Sequence, residues 1–315
     1  MGMQRQMVRL LLQEHQYKPI TGNVLLIGRQ TVPLTIEQTK DLIRMEGVPC
    51  RDEAQPRIDA TTRSGKEHGF IADVSVFDLF TTATVRALDI SDYEGAEIVQ
   101  DLNRPLPSDL EGQFDFIYNG SCLDNIFDPV TSLRSMTQLL RPGGRIVHIE
   151  HGTHLHGPYL KYSPDWFFDY YLLNDFEDCK SYLAVFHDFD GPWAIYQWNP
   201  VVDGKLEWSA RPPKGDFLVL TIAEKREGST ADRSPVQAQY RHGAEKSVYT
   251  TGALRFARSG RPALKGEPGD RNVGRPKTRG KRIELLFTAF GRQVAGTQAK
   301  RSRVHPSYRF CGYFG

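Results

Sequence analysis

Residues 113–150 constrain the fold more than any other stretch of this chain. Phe114, Phe116, Ile117 and Tyr118 form a short apolar and aromatic run carrying one acid, Asp115. It stops at Asn119-Gly120, a pair that favours a turn because glycine tolerates positive φ. This pattern predicts a buried strand that feeds a loop. Over residues 129–140, Val130, Leu133, Met136, Leu139 and Leu140 recur at spacings of three and four and so share one helical face. Pro142-Gly143-Gly144 ends that helix, and residues 145–150 follow as a β-branched strand. Strand, loop, helix and strand in this order make a βαβ unit with parallel strands. Ligands in such sheets bind at the carboxyl ends of the strands, so Asn119, Gly120, Ser121 and the segment after Ile149 are the first places for chemistry.

The same alternation extends to both sides. Val24, Leu25, Leu26 and Ile27, bounded by Gly22 and Gly28, suit a central parallel strand buried on both faces. Thr35 caps a predicted helix over 36–45, which Gly47-Val48-Pro49 ends. Residues 84–91 and 96–103 read as the second and third strands, with Asp89 and Asp101 as their acids, and 182–189, 193–198 and 217–223 supply the last strands. Residues 51–68 are polar and long for a connection in a compact sheet, which predicts an exposed, lid-like loop. The expected organisation is a lead-in helix over 1–20, an α/β sheet domain over 21–224 with an insert at 51–70, and a Gly/Pro-rich basic extension over 225–315. Within the extension, 255–282 is expected to lack regular structure. The apolar island at 283–290 and the aromatic end at 308–314 are expected to dock back on the body.

A net charge of +2 conceals an asymmetry that bears on partners. Residues 1–224 carry 20 Lys and Arg against 32 Asp and Glu, whereas residues 225–315 carry 20 against 6. Either the extension folds onto an acidic body, or it meets phosphate in nucleic acid or another phosphorylated partner. Cys50, Cys122, Cys179 and Cys311 share no paired spacing, so neither a disulfide framework nor a zinc ribbon is indicated and a reducing compartment is expected. No apolar run approaches the length of a membrane span, and the expected location is cytoplasmic.

Ala87-Leu88-Asp89-Ile90-Ser91, Asp101-Leu102-Asn103, residues 114–117 and Leu140-Arg141-Pro142-Gly143-Gly144 together resemble the class I S-adenosylmethionine-dependent methyltransferases over about residues 20–224. The resemblance implies a Rossmann-like, mostly parallel seven-stranded sheet with helices on both faces, and S-adenosyl-L-methionine as cofactor. It implies that Asp89, with Ile90 beside it, binds the ribose hydroxyls, that Asp101 reaches the adenine amino group with Leu102 against the ring, and that Asn119 and Gly120 line the methyl-transfer site. The first loop departs from the family's Gly-x-Gly-x-Gly pattern: Gly28 keeps the first glycine, while Gln30 and Val32 replace the others. Arg29 is placed to pair with the cofactor's carboxylate as a charge-assisted fork; its bland alternative is a solvated surface charge.

His148, Glu150, His151, His154 and His156 cluster at or just past the fifth strand, in a spacing that matches no fixed metal-ligand motif, so no metal is expected. General base catalysis fits better, because a hydroxyl is a poor nucleophile until its proton is removed and an imidazole titrates near neutral pH. His154 and His156 are the expected bases, with Tyr159 and Tyr162 shaping the acceptor pocket. These features point to transfer of a methyl group to a hydroxyl of a small polar or saccharide acceptor. The alternatives are a methyltransferase-like binding or scaffold protein without catalysis, suggested by Gln30 and Val32, and a nucleic-acid methyltransferase that uses the basic extension.

Overall fold

A computed structural model of the chain describes residues 2–153, 157–202, 205–206, 212–237, 240–268 and 304–315. The helices are α1 (Arg5–Tyr17), α2 (Ile36–Met45), α3 (Arg63–His68), α4 (Asp73–Asp78), α5 (Pro129–Leu139), α6 (Pro164–Leu173) and α7 (Gly243–Arg258). The strands are β1 (Asn23–Ile27), β2 (Thr84–Asp89), β3 (Ile98–Val99), β4 (Phe114–Gly120), β5 (Leu140–His151), β6 (Asp178–Phe186), β7 (Trp193–Trp198), β8 (Val201–Val202), β9 (Lys205–Leu206), β10 (Asp216–Glu224) and β11 (Tyr308–Phe314). Nine of these make one sheet in the order β3-β2-β1-β4-β5-β10-β6-β7-β11. The strands from β3 to β5 pair in parallel, and β10, β7 and β11 each pair antiparallel with their neighbours. The order 3-2-1-4-5 is that of the Rossmann-like doubly wound fold.

Both faces of the sheet are covered, which explains the uninterrupted aliphatic run in β1. Val24 and Leu26 pack with α1, α2 and α4 on one face; Leu25 and Ile27 pack with α5, α6 and α7 on the other. The capping box of Thr35 with Gln38 and the Asp128 cap of α5 at Thr131 fix the starts of two covering helices. No helix among the described residues is long and apolar enough to cross a membrane.

Three expectations change. The sheet has nine strands rather than seven, because β7 and β11 extend it beyond β6. Residues 51–70 are not a loose lid: Asp59 is buried and accepts from Thr61 and Thr62, the Arg57 carbonyl accepts from Ala72 N, and α3 occupies 63–68. Regular structure persists through α7 to Arg258 in the basic extension, while 269–303, which include the apolar island at 283–290, lie outside the described residues.

The extension's charges meet the body's. Arg255 pairs with Asp175 at 3.1 Å, and Arg241 lies 4.0 Å from Asp169. Arg261 is buried among Glu14 at 2.6 Å, Asp178 at 2.8 Å and Glu224 at 3.1 Å, with its guanidinium over the Tyr17 ring. Burial works against that charge, yet Glu14 and Asp178 outweigh it and the Arg261 pKa is raised.

Candidate functional site

β1, β2, β4 and β5 pair in parallel and bring their carboxyl ends to one edge of the sheet. Because β2 and β4 flank β1 on opposite sides, the topological switch point lies between β1 and β4, where ligands bind in open parallel sheets. Gly28 leaves β1 with φ of 72°, a conformation that favours glycine, and its N–H donates to the Leu88 carbonyl at 2.8 Å. A Cβ on Gly28 would stand 3.7 Å from Asp89 Oδ2, 3.8 Å from Gln30 Nε2 and 3.9 Å from Cys122 Sγ. One carboxylate, one amide and one thiol therefore converge on a bare backbone.

Asp89 Oδ1 accepts from Ile90 N at 2.6 Å, and no helix follows directly on β2, so Asp89 is not a helix cap. Ile90 and Val99, next to Asp89 at the ends of β2 and β3, are 67% and 57% exposed. Asp101 turns inward on its own loop: Oδ1 accepts from Asn103 N and Asn103 Nδ2, both at 2.9 Å, Arg104 lies 3.4 Å away, and these partners hold its carboxyl below the usual range. Leu102 is buried in the core with Leu133, so it presents no face to a ligand. Arg29 is likewise committed, since its guanidinium forks onto Asp73 at 2.6 and 3.0 Å. It is neither a carboxylate receptor in this geometry nor a solvated charge.

The first loop holds an unexpected arrangement. Gln30 is 4% exposed, and its Oε1 presses on Gly120 so closely that a Cβ there would lie 2.6 Å away. Gln30 Nε2 donates to the Ile27 and Gly28 carbonyls at 3.3 and 3.4 Å, while Oε1 has no hydrogen-bond partner among the described residues. A buried acceptor left unmatched costs about 1–3 kcal/mol. Val32 is wholly buried in the core.

Beneath this edge, β4 and β5 build a closed polar layer. Asn119 is fully buried; Nδ2 donates to Glu150 Oε1 at 2.5 Å and lies 2.9 Å from His148 Nδ1, while Oδ1 accepts from Cys122 N at 3.1 Å. It therefore shapes the loop from below rather than lining the site. His148 stacks on Phe167, and its Nε2 lies 2.6 Å from the Tyr171 hydroxyl. Burial pushes its pKa down to about 3, so the ring is neutral. Burial and the neighbouring Asp124 charge push the Glu150 carboxyl well above its usual range.

Above that layer stands a dyad. Ser121 holds φ of 64°, uncommon outside glycine, and its Oγ donates to Asp124 Oδ2 at 2.6 Å. His151 Nδ1 lies 2.5 Å from the same oxygen, and His151 N donates to it at 3.2 Å. Burial pushes the Asp124 carboxyl up, but the hydrogen bonds from His151 and Ser121 outweigh it and hold it below the usual range. Asp124 carried no sequence signal of its own; the positive φ of Ser121 and the adjacency of β4 and β5 create the pairing.

His154 and His156 lie outside the described residues. Tyr162 is buried, its hydroxyl donates to the Leu123 carbonyl at 3.2 Å and its N–H to the His151 carbonyl at 2.8 Å, so it braces the loop instead of lining a pocket. Tyr159 is 74% exposed and meets Phe127 edge to face at 6.4 Å. Among the described residues no three His, Cys, Asp or Glu side chains are grouped to hold a metal ion.

No protein-family model and no curated protein sequence matches the chain. Solved structures do match in part. The CMeT domain of citrinin polyketide synthase is 12% identical over 71% of this chain and 52% of its own, with a TM-score of 0.35. Phosphoethanolamine N-methyltransferase 2 of Haemonchus contortus, solved with S-adenosyl-L-methionine, is 13% identical over 55% of this chain and 37% of its own, at 0.32. A Rhodobacter sphaeroides structure described as a Zn-dependent alcohol dehydrogenase is 16% identical over 47% of this chain and 46% of its own, at 0.25. The chain thus spans about half or less of each of these proteins, and at such scores the likeness carries no argument about activity.

Proposed function

We propose that the chain is an S-adenosylmethionine-dependent methyltransferase acting on a hydroxyl of a small polar or saccharide acceptor. The observation that carries this reading is the meeting of Gly28 and Asp89 at the carboxyl ends of β1 and β2, beside the switch point, with Asp89 Oδ2 turned to the bare backbone of Gly28. These residues fit the nucleoside half of the cofactor. Asp89 would accept the ribose hydroxyls, and the exposed Ile90 and Val99 would cover the adenine, a role that Leu102 in the core does not serve. When bound, the cofactor supplies an electrophilic methyl group on a sulfonium.

His151 would do the acid–base work. Asp124 holds Nδ1 and, staying ionised, stabilises the imidazolium, so the hydroxyl proton is received at Nε2. Tyr159 and Phe127 offer ring faces to an acceptor at the mouth.

Titration calorimetry with S-adenosylhomocysteine should give binding that Asp89→Ala abolishes; a folded protein that binds neither this compound nor S-adenosylmethionine removes the reading. Asp124→Asn should lower kcat about 10²–10⁴-fold with cofactor affinity unchanged. Unaltered turnover would move the base to His154 or His156. A non-catalytic nucleotide-binding role is favoured by one observation, the Gln30 side chain packed against Gly120. Nucleic acid as acceptor has less support, because Arg255 and Arg261 of the basic extension pair with Asp175 and Glu14 of the body.

A further inference from the structure

Gln30 has no part in the reading above, yet it occupies the place where that reading most needs a polar group. We propose that Gln30 Oε1 receives the α-ammonium group of the cofactor's amino-acid half, replacing a function that a glycine-rich loop would leave to backbone alone. The inference rests on the methyltransferase reading and deepens it.

Four observations converge. Gln30 sits between the carboxyl ends of β1 and β4, the switch point itself, and is 4% exposed. Its amide is oriented: Nε2 bonds to the Ile27 and Gly28 carbonyls, which sends the oxygen toward β4. That oxygen is a buried acceptor without a partner among the described residues. Its room is made by Gly120, where any side chain would collide with it at 2.6 Å. An ammonium group has three donors and no acceptor, so it suits an orphaned carbonyl oxygen and not a guanidinium. The loop's own cation, Arg29, is already neutralised by Asp73, and Val32 is in the core, so Gln30 is the loop side chain left to read this end of the ligand.

The test compares three probes by calorimetry: S-adenosylhomocysteine, its deaminated analogue that keeps the carboxylate, and 5′-deoxy-5′-methylthioadenosine, which lacks the amino-acid half. The parent protein should bind the first about ten- to hundredfold tighter than the second, as expected for one hydrogen bond to a charged group. Gln30→Met should erase that preference while leaving methylthioadenosine binding unchanged, which also reports that the variant is folded. Gln30→Glu, which keeps an acceptor in the same place, should retain the preference. The proposal is overturned if Gln30→Met keeps the full preference, or if it binds S-adenosylhomocysteine more tightly, which would make Gln30 a plug. Binding of methylthioadenosine with no ammonium preference in the parent overturns the inference alone; no binding of any probe to the parent removes the methyltransferase reading with it.

Discussion

His148 and Glu150 stand two residues apart on β5, wholly buried, and the same burial shifts their pKa values in opposite directions, each towards the uncharged form. His148 has a depressed pKa, so its contribution to stability is present above its ordinary 6.5 and is lost as pH falls toward 3. Glu150 has a raised pKa, so its contribution is present below its ordinary 4.5 and is lost as pH rises. Above 4.5 the two slopes oppose each other. Asp124, held low, adds its own slope only below its ordinary 3.8. Glu150→Gln removes one slope and uncovers the other: the variant should be about 2 kcal/mol less stable at pH 5 than at pH 6.5, while the parent shows a smaller difference. Urea denaturation at the two pH values measures it, and parallel profiles for both proteins would refute it. Much of this layer was out of reach of the sequence. Gly28 and Asp89 were legible because each ends a strand with its own signature. The pairing of His151 with Asp124 was not, because 27 residues separate them and only the parallel contact of β4 with β5 joins them. Leu102 and Tyr162 misled for a related reason: helix packing took both side chains into the interior.

At the scale of elements, the apolar pattern was a good guide where it runs unbroken, as in β1 and β4, or falls on one helical face, as in α5. It missed α7, whose last residues, 255–258, fall in the stretch expected to lack regular structure. Gly252 is there because a Cβ would come within 2.8 Å of Leu172, so the glycine serves close helix packing. β3 is shorter than its sequence pattern because only Ile98 and Val99 reach the edge of β2. Among the described residues part of the charge asymmetry is met in the segment after α7, where Arg261 joins α1, β6 and β10 through Glu14, Asp178 and Glu224. Arg261→Ala would leave three carboxylates facing one another with their partner removed. The expected loss is about 3–5 kcal/mol of stability, read as a lower urea midpoint. A midpoint unchanged from the parent would mean that Lys18, 2.6 Å from Glu224, and Arg145, 2.9 Å from Glu14, suffice.

Taken whole, the molecule is a parallel Rossmann-like half joined to an antiparallel half, and its ends are drawn together. Arg5 Nε donates to the Gly315 carbonyl at 3.0 Å, and the Arg9 guanidinium lies over Phe314. The aromatic residues of 308–314 predicted docking; they did not reveal that the dock is the outer edge of β7, with Tyr308 opposite Trp198 and Phe314 opposite Trp193. That placement sets an order of events during synthesis. β7 leaves the ribosome long before its neighbour, since residues 199–307 must be translated first. Throughout that interval the outer edge of β7, opposite the one that pairs with β6, is an unpaired ladder, open to a chaperone or to another nascent copy. A premature stop after β10 and before β11 would yield a product with a permanently adhesive flank, and its fate would be aggregation or degradation rather than partial activity.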